Sequence, residues 1–325
     1  MTRDSRPATR DLVIVGGGPA GMAAAIAAHE AGVKDILLLE RDQYLGGILN
    51  QCIHTGFGLH HFKEDLTGPE YADRFIKRIE ALPEIEASLR SFVVKLTGDK
   101  VLTYLKPGTM EVVKAKALIM ATGCRERTRE MVHIAGTRPA GVYPAGLAQK
   151  MINIEGWLPG KEAVIVGSGD IGLIMARRFA LEGAKVKAVI EVQKESRGLV
   201  RNVVQCLEDF AIPLYFRHRV ARIMGKDRVE KVLIENVETK ESFELTCDTV
   251  LISVGLIPEN ELIEMACVEI DSMTNSPVSK AVNLCSIPGI FVCGNSYKVY
   301  DLVDSVTRDS IKAGQMAADY LREPK

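Results

Sequence analysis

Two sets of glycines in this 325-residue chain are spaced for holding phosphate. Gly16, Gly18 and Gly21 lie in "LVIVGGGPAGMAAAIAAHEAGVKDILLLE", residues 12–40. Gly167, Gly169 and Gly172 lie in "AVIVGSGDIGLIMARRFALEGAKVKAVIE", residues 163–191. In a G-x-G-x-x-G turn the first glycine makes the tight bend and the second lets backbone approach a pyrophosphate. The third lets the following helix pack against the strand. Glu40 and Glu191 each follow the third glycine by 19 residues, the distance at which a carboxylate accepts the hydroxyls of an adenosine ribose. A lone string of this kind is often only a tight turn. Here two copies align without a gap at an offset of 151, acids in register, and predict a chain that binds two dinucleotides.

Each copy needs a buried parallel strand, the glycine turn, a helix of about a dozen residues and a second strand to hold these groups. The helix start would offer free N–H groups and the positive end of its dipole to the phosphates. Gly32 and Gly183 fit helix C-caps. Two further segments mirror each other, "ALIMATG" at 117–123 and "TVLISVG" at 249–255. Each closes a run of short alternating stretches that reads as a small antiparallel meander feeding back into a central strand. The C-terminal "GIFVCGNSYKVYDLVDSVTRDSIKAGQMAADYL" reads as strand, loop and then a helix beginning at 303–307. The fold class expected is α/β, with two Rossmann-like, three-layer dinucleotide-binding domains and small antiparallel meanders.

The bulk composition excludes other classes. With 47% hydrophobic residues, 26% charged residues and a net charge of -1, nothing marks a nucleic-acid surface. No stretch reaches the roughly 20 apolar residues of a membrane helix, and the N-terminus carries no secretory apolar region, so a cytoplasmic protein is expected. Seven cysteines, at 52, 124, 206, 247, 267, 285 and 293, form no C-x-x-C pair and read mostly as buried free thiols. The six histidines show no metal-ligand spacing either, so no metal site is expected.

Taken together, these motifs resemble the two-dinucleotide-binding flavoproteins, which include thioredoxin and glutathione reductases. The resemblance covers nearly the whole chain. It implies that the first fingerprint holds FAD, through Gly16, Gly18, Pro19, Ala20, Gly21, Glu40, Arg41 and Gly47. Ala121, Thr122 and Gly123 would lie against the same cofactor, and so would the "FVCGN" turn with Gly294 and Asn295. Relatives usually end that turn in Gly-Asp; Asn295 keeps the hydrogen bonding to the ribityl chain and loses the local charge. The second fingerprint would hold the nicotinamide nucleotide through Gly167, Gly169, Asp170, Ile171, Gly172 and Glu191, with Gly255. Glu191 favours NAD over NADP, because a carboxylate repels a 2′-phosphate; Lys194 and Arg197 follow and could soften that preference. Only 30 residues follow Asn295, so the compact thioredoxin-reductase plan is implied, with the NAD domain inserted into the FAD domain. The boundaries expected are 1–124 and 248–325 for the FAD domain and 125–247 for the NAD domain, with hinges at 124–130 and 246–249.

One feature separates the chain from those reductases. Neither dithiol is present: 136–161, where thioredoxin reductases carry C-x-x-C, has no cysteine, and in the segment just after Gly46-Gly47, where glutathione reductases carry two cysteines, only Cys52 occurs. Dithiol–disulfide exchange needs an attacking and a resolving thiol. Cys52 is either a single reactive thiol near the flavin or a packing residue, and His54 carries the same choice. The strings "GGILNQCIHTGFG", "ATGCRERTR" and "GVYPAGLAQKMINIEGWLPGK" resemble a narrower subgroup. These are the small flavoprotein subunits that accompany glycerol-3-phosphate, opine, proline or amine dehydrogenases and hydrogen cyanide synthase. That resemblance implies an FAD-dependent oxidoreductase passing hydride between NAD(H) and FAD. Its expected partner is a substrate-oxidising flavoprotein, with an iron–sulfur protein as a further candidate. The alternatives are a stand-alone single-cysteine disulfide or peroxide reductase using Cys52, and a non-catalytic nucleotide-binding scaffold.

Overall fold

The structure, a computed structural model, describes residues 7–278 and 283–323. The chain divides into two compact units, Met1–Arg125 with Ile257–Lys325, and Glu126–Leu256, so the second is inserted into the first.

In the first unit the run "LVIV" belongs to the strand Ala8–Val15, at the centre of a seven-stranded sheet. It pairs in parallel with Ile36–Leu39 on one side and Thr109–Met120 on the other. Ile85–Ser88 extends the sheet beyond Ile36–Leu39, and Ile290–Val292 adds to Thr109–Met120, both in parallel. The expected meander is Phe92–Leu96, Val101–Lys106 and the start of Thr109–Met120, all antiparallel. Because side chains alternate along a strand, Leu12 and Ile14 enter a core formed with helices, and Val13 and Val15 enter a second core with Leu96 and Leu102 of the meander. Helix Pro19–Glu30 is buried from Ala20 to Ala28, since the C-terminal helix Val303–Arg322 covers its outer side. Its alanines allow close approach: a Cβ on Gly314 of the covering helix would overlap the Ala24 carbonyl oxygen.

In the second unit five parallel strands run in the order Val142–Pro144, Thr249–Ile252, Glu162–Val166, Lys185–Glu191, Leu214–Phe216. Ala163 and Ile165 face the helices Ala145–Asn153 and Asp170–Leu181. Val164 faces the other way, onto the meander His218–Gly225, Val229–Asn236 and Ser242–Thr246. Helices, parallel sheet and meander are the three layers.

The second crossing lies elsewhere than the expected boundary after residue 247 and hinge at 246–249. Thr249–Ile252 is a fully buried strand paired on both sides within the inserted unit, and Thr246 pairs with Lys231. A strand held by two ladders cannot be a loose connection. The chain crosses back at 256–257, where Leu256–Pro258 pairs with Cys124–Glu126, the outgoing crossing, as a two-stranded ribbon.

Candidate functional site

Each glycine turn is closed by its own acid. Glu40, 6% exposed, accepts the Gly17 N–H at 2.6 Å on Oε2 and the Asp42 N–H at 2.8 Å on Oε1. Glu191, 5% exposed, accepts the Ser168 N–H and hydroxyl on Oε2 at 2.9 and 2.7 Å, and the Gln193 N–H on Oε1 at 2.9 Å. The partners obey the offset of 151 that relates the fingerprints. Charge-assisted hydrogen bonds from backbone offset the desolvation of each buried carboxylate and fix its direction at the mouth of the turn. Both Glu40 oxygens, and Oε1 of Glu191, keep a lone pair for a further donor. Beyond the acid, the chain returns to the turn in both copies: Gly46 N–H donates to Gly17 O at 2.9 Å, and Gly198 N–H to Ser168 O at 3.0 Å. The sequence pattern does not reveal these returns, because they involve backbone groups.

The turns themselves are built alike. A Cβ on Gly16 would overlap the Ala121 carbonyl oxygen, and one on Gly167 the Ser253 carbonyl oxygen, so each crossing strand presses directly on its turn. Gly18 and Gly169 are different. Their φ angles, -74° and -70°, suit any residue. A Cβ on Gly169 would meet no atom within 4 Å, and one on Gly18 only the Gly47 Cα at 3.9 Å. Nothing among the described residues demands glycine there, whereas a group lying against the backbone would.

Helix starts give a second test. Helix Gly68–Glu80 closes its own start with a capping box between Thr67 and Glu70, and Glu126 accepts the Gly146 and Leu147 N–H groups at the start of Ala145–Asn153. Among the described residues no side chain caps Pro19–Glu30 or Asp170–Leu181. Their first N–H groups and dipole ends remain available to an anion. The residues of both turns therefore fit the ribose and pyrophosphate of a dinucleotide.

The other expected contacts fall around these cradles. Pro19 opens the first helix and Ala20 is buried beneath it; Arg41 is exposed beside Glu40. Thr122 donates from its hydroxyl to Glu259 O at 2.6 Å, and Gly123 O accepts the Glu259 N–H at 3.0 Å, which fixes the "ATG" turn. Gly294 lies so near Ala20 that it has no room for a Cβ. Asn295, expected at the ribityl chain, donates to Cys124 Sγ at 3.4 Å and accepts the Tyr300 N–H at 3.1 Å, so part of its hydrogen-bonding capacity is already in use. In the second unit Ile171 is exposed, Gly255 O accepts the Arg127 N–H, and Asp170 accepts the Leu199 N–H at 2.8 Å and the Asn202 amide at 2.7 Å. Arg125, in the expected hinge at 124–130, is paired with Glu259 and Glu261.

Cys52 ends the short 3-10 helix Gly47–Gln51, and its thiol contacts Ile48 O at 3.3 Å. Burial pushes its pKa up to about 12, so the thiol is protonated at neutral pH. Gly68 packs on it so closely that a Cβ there would lie 2.8 Å from the Cys52 Cβ. The half-buried His54 ring contacts Thr55 O at 3.0 Å and lies 5.0 Å from the Phe57 ring. Among the described residues no group of His, Cys, Asp and Glu could hold a metal ion, and no helix is long and apolar enough to cross a membrane.

The sequence profile of the pyridine nucleotide-disulphide oxidoreductases matches residues 10–317. The chain belongs to that family. Its members are FAD-dependent NAD(P)H oxidoreductases, and this protein is one of them. A 34.2 kDa protein in the rubredoxin operon of Clostridium pasteurianum is 24% identical over 96% of this chain and 97% of its own length. An opine oxidase subunit of Agrobacterium tumefaciens is 25% identical over 88% of this chain and 61% of its own length. Among solved structures, the Lactococcus lactis thioredoxin reductase superposes with a TM-score of 0.78 at 22% identity, over 96% of this chain and 99% of the reductase. At that identity the likeness speaks for the oxidoreductase fold alone.

Proposed function

We propose that the first cradle holds FAD and the second NAD(H), and that this oxidoreductase works as the electron-transfer component of a dehydrogenase complex. Its partner would be a flavoprotein that oxidises a small substrate such as glycerol 3-phosphate, an amino acid or an amine. The observation that carries this reading is the doubled clasp, one buried acid closing the turn before each uncapped helix start at the same 151-residue offset. When bound, the two cofactors supply the redox chemistry, a hydride passing between nicotinamide and flavin. The protein binds, orients and shields them, and needs no acid–base side chain for that transfer. The partner assignment is supported by the missing dithiol, by a Cys52 thiol that burial keeps protonated, and by the similarity to a component of opine oxidase. NAD is favoured over NADP because Glu191 would face a 2′-phosphate, although the exposed Lys194 and Arg197 lie close in sequence.

The test starts with the purified, FAD-loaded chain mixed with NADH without oxygen. The flavin is expected to be reduced, and an added dye to be turned over without any partner. A flavin that stays oxidised overturns the hydride-transfer reading and leaves the scaffold alternative. Isolation from the native source is expected to bring down a substrate-oxidising flavoprotein; recovery of a lone, fully active disulfide or peroxide reductase overturns the complex reading.

A further inference from the structure

The "CGN" turn of residues 293–295 is held from behind by an acid that the cofactor reading leaves unexplained. Asp309, 8% exposed, projects from the helix Val303–Arg322. Its Oδ2 accepts the Gly294 N–H at 2.9 Å and its Oδ1 accepts the Asn283 amide at 3.0 Å. Burial, and then the Asp309 charge, push the Tyr300 pKa up. The acid is thus surrounded by donors, and among the described residues no Lys, Arg or His pairs with it. A buried charge met only by neutral dipoles keeps a long reach, because little solvent screens it.

Gly294 is the link from this acid to the first cradle. It sits at φ +64°, and a Cβ there would lie 2.6 Å from the Ala20 Cβ, in the first turn of the fingerprint helix. The Asp309–Gly294 hydrogen bond therefore presses the turn onto the cradle. The next residue is Asn295, where the chains this one resembles usually carry aspartate.

We propose that Asp309 is a positioning residue for the flavin and that it restores, from one layer deeper, the negative charge missing at Asn295. This rests on FAD occupying the first cradle. With FAD in that cradle, the Asp309 carboxylate would place a negative charge near the cofactor; such a charge disfavours the electron-rich reduced flavin and would hold its reduction potential down. The restoration is one of charge: either side chain at position 295 can accept the Tyr300 N–H, but only the amide can donate to Cys124 Sγ.

The experiment is a charge relocation in the FAD-loaded full-length chain, read as reduction potential against a reference dye and as FAD content. Asp309→Asn should raise the potential while FAD stays bound. Asn295→Asp, which sets two carboxylates close together, should lower it. The double substitution, which moves the charge back to position 295, should return it toward the wild-type value, and such non-additivity is the mark of a coupled pair. Should Asp309→Asn fail to fold, Asn283→Ala removes the amide donor from the acid and is expected to lower the potential. FAD-loaded variants whose potentials match the wild type overturn this inference alone. A wild-type chain that takes up no FAD overturns the cradle assignment and the inference with it.

Discussion

The two fingerprint copies share their clasp and differ in what surrounds it. In the first, a Cβ on residue 17, Gly17, would sit 2.5 Å from Leu45 Cδ2 and 3.0 Å from Glu40, so a larger residue there would push the Leu45 side chain and the acid aside. In the second the equivalent residue is Ser168, fully buried, whose hydroxyl gives Glu191 a third hydrogen bond. The first helix opens with Pro19 and has no acid in its first turn; the second opens with Asp170, already engaged with its own return segment. The first helix is sealed beneath another helix, whereas Ile171 and Leu181 of the second are exposed. The first copy is built into the core and offers its helix dipole to an anion without a competing charge. The second is a surface cradle whose helix start carries a carboxylate. That contrast suits one tightly held cofactor and one that exchanges.

The largest expected effect comes from neutralising either clasp. In Glu40→Gln or Glu191→Gln one carboxylate oxygen becomes an NH2 group that faces a backbone N–H. An unsatisfied buried donor costs about 1–3 kcal/mol. Glu40→Gln should therefore purify with much less FAD and keep its NADH affinity. Glu191→Gln should stay yellow and bind NADH roughly tenfold more weakly, about 1.4 kcal/mol. Flavin absorbance and NADH titration of the two variants decide the matter. Equal effects of both substitutions on both cofactors would break the division of labour.

A smaller effect sharpens it. Asp170→Asn removes a negative charge from the start of the second helix, and the amide oxygen can still accept the Leu199 N–H now bound at 2.8 Å. Charge at a helix terminus contributes about 0.3–1 kcal/mol. NADH should bind about two- to fivefold tighter to this variant, with FAD content unchanged, as read by titration of tryptophan or NADH fluorescence. Weaker binding would mean that Asp170 assists the coenzyme directly.

Much of this arrangement is legible in the sequence, for a physical reason. Turns that need glycine and acids that need a fixed distance leave marks at single positions, so both cradles, Glu40 and Glu191 can be read from residue types. The three-layer fold follows from apolar strands and alternating meanders. The second crossing cannot be read this way, because "TVLISVG" is as apolar as "ALIMATG" and carries no sign of which sheet it joins; ladder hydrogen bonds decide that, and they are backbone. Asp309 escapes the sequence for a related reason. It sits in a helix among other polar residues, and only the folded chain brings it under Gly294, 15 positions earlier. The same holds for Asp170, whose partners lie 29 and 32 residues away.

The smallest effect is expected where a cysteine closes the return segment. Both copies end a short helix there with a thiol, Cys52 after Gly47–Gln51 and Cys206 within Val200–Cys206, and burial raises the pKa of each. If both are packing groups, Cys52→Ser should leave NADH-to-dye turnover at pH 7 within about twofold, since a thiol that only packs takes no part in the hydride transfer. The pH dependence of stability gives the sharper reading. The folded Cys52 holds its proton up to about pH 12, whereas the unfolded thiol releases it near its ordinary 9.0. The contribution is then complete below pH 9 and is lost as the pH rises toward 12. Denaturant unfolding at pH 8 and pH 10.5 should show the wild type losing more stability over that interval than Cys52→Ser. A variant that loses activity at pH 7 by tenfold or more, with its FAD still bound, would make Cys52 a working thiol and separate the two copies in chemistry as well as in burial.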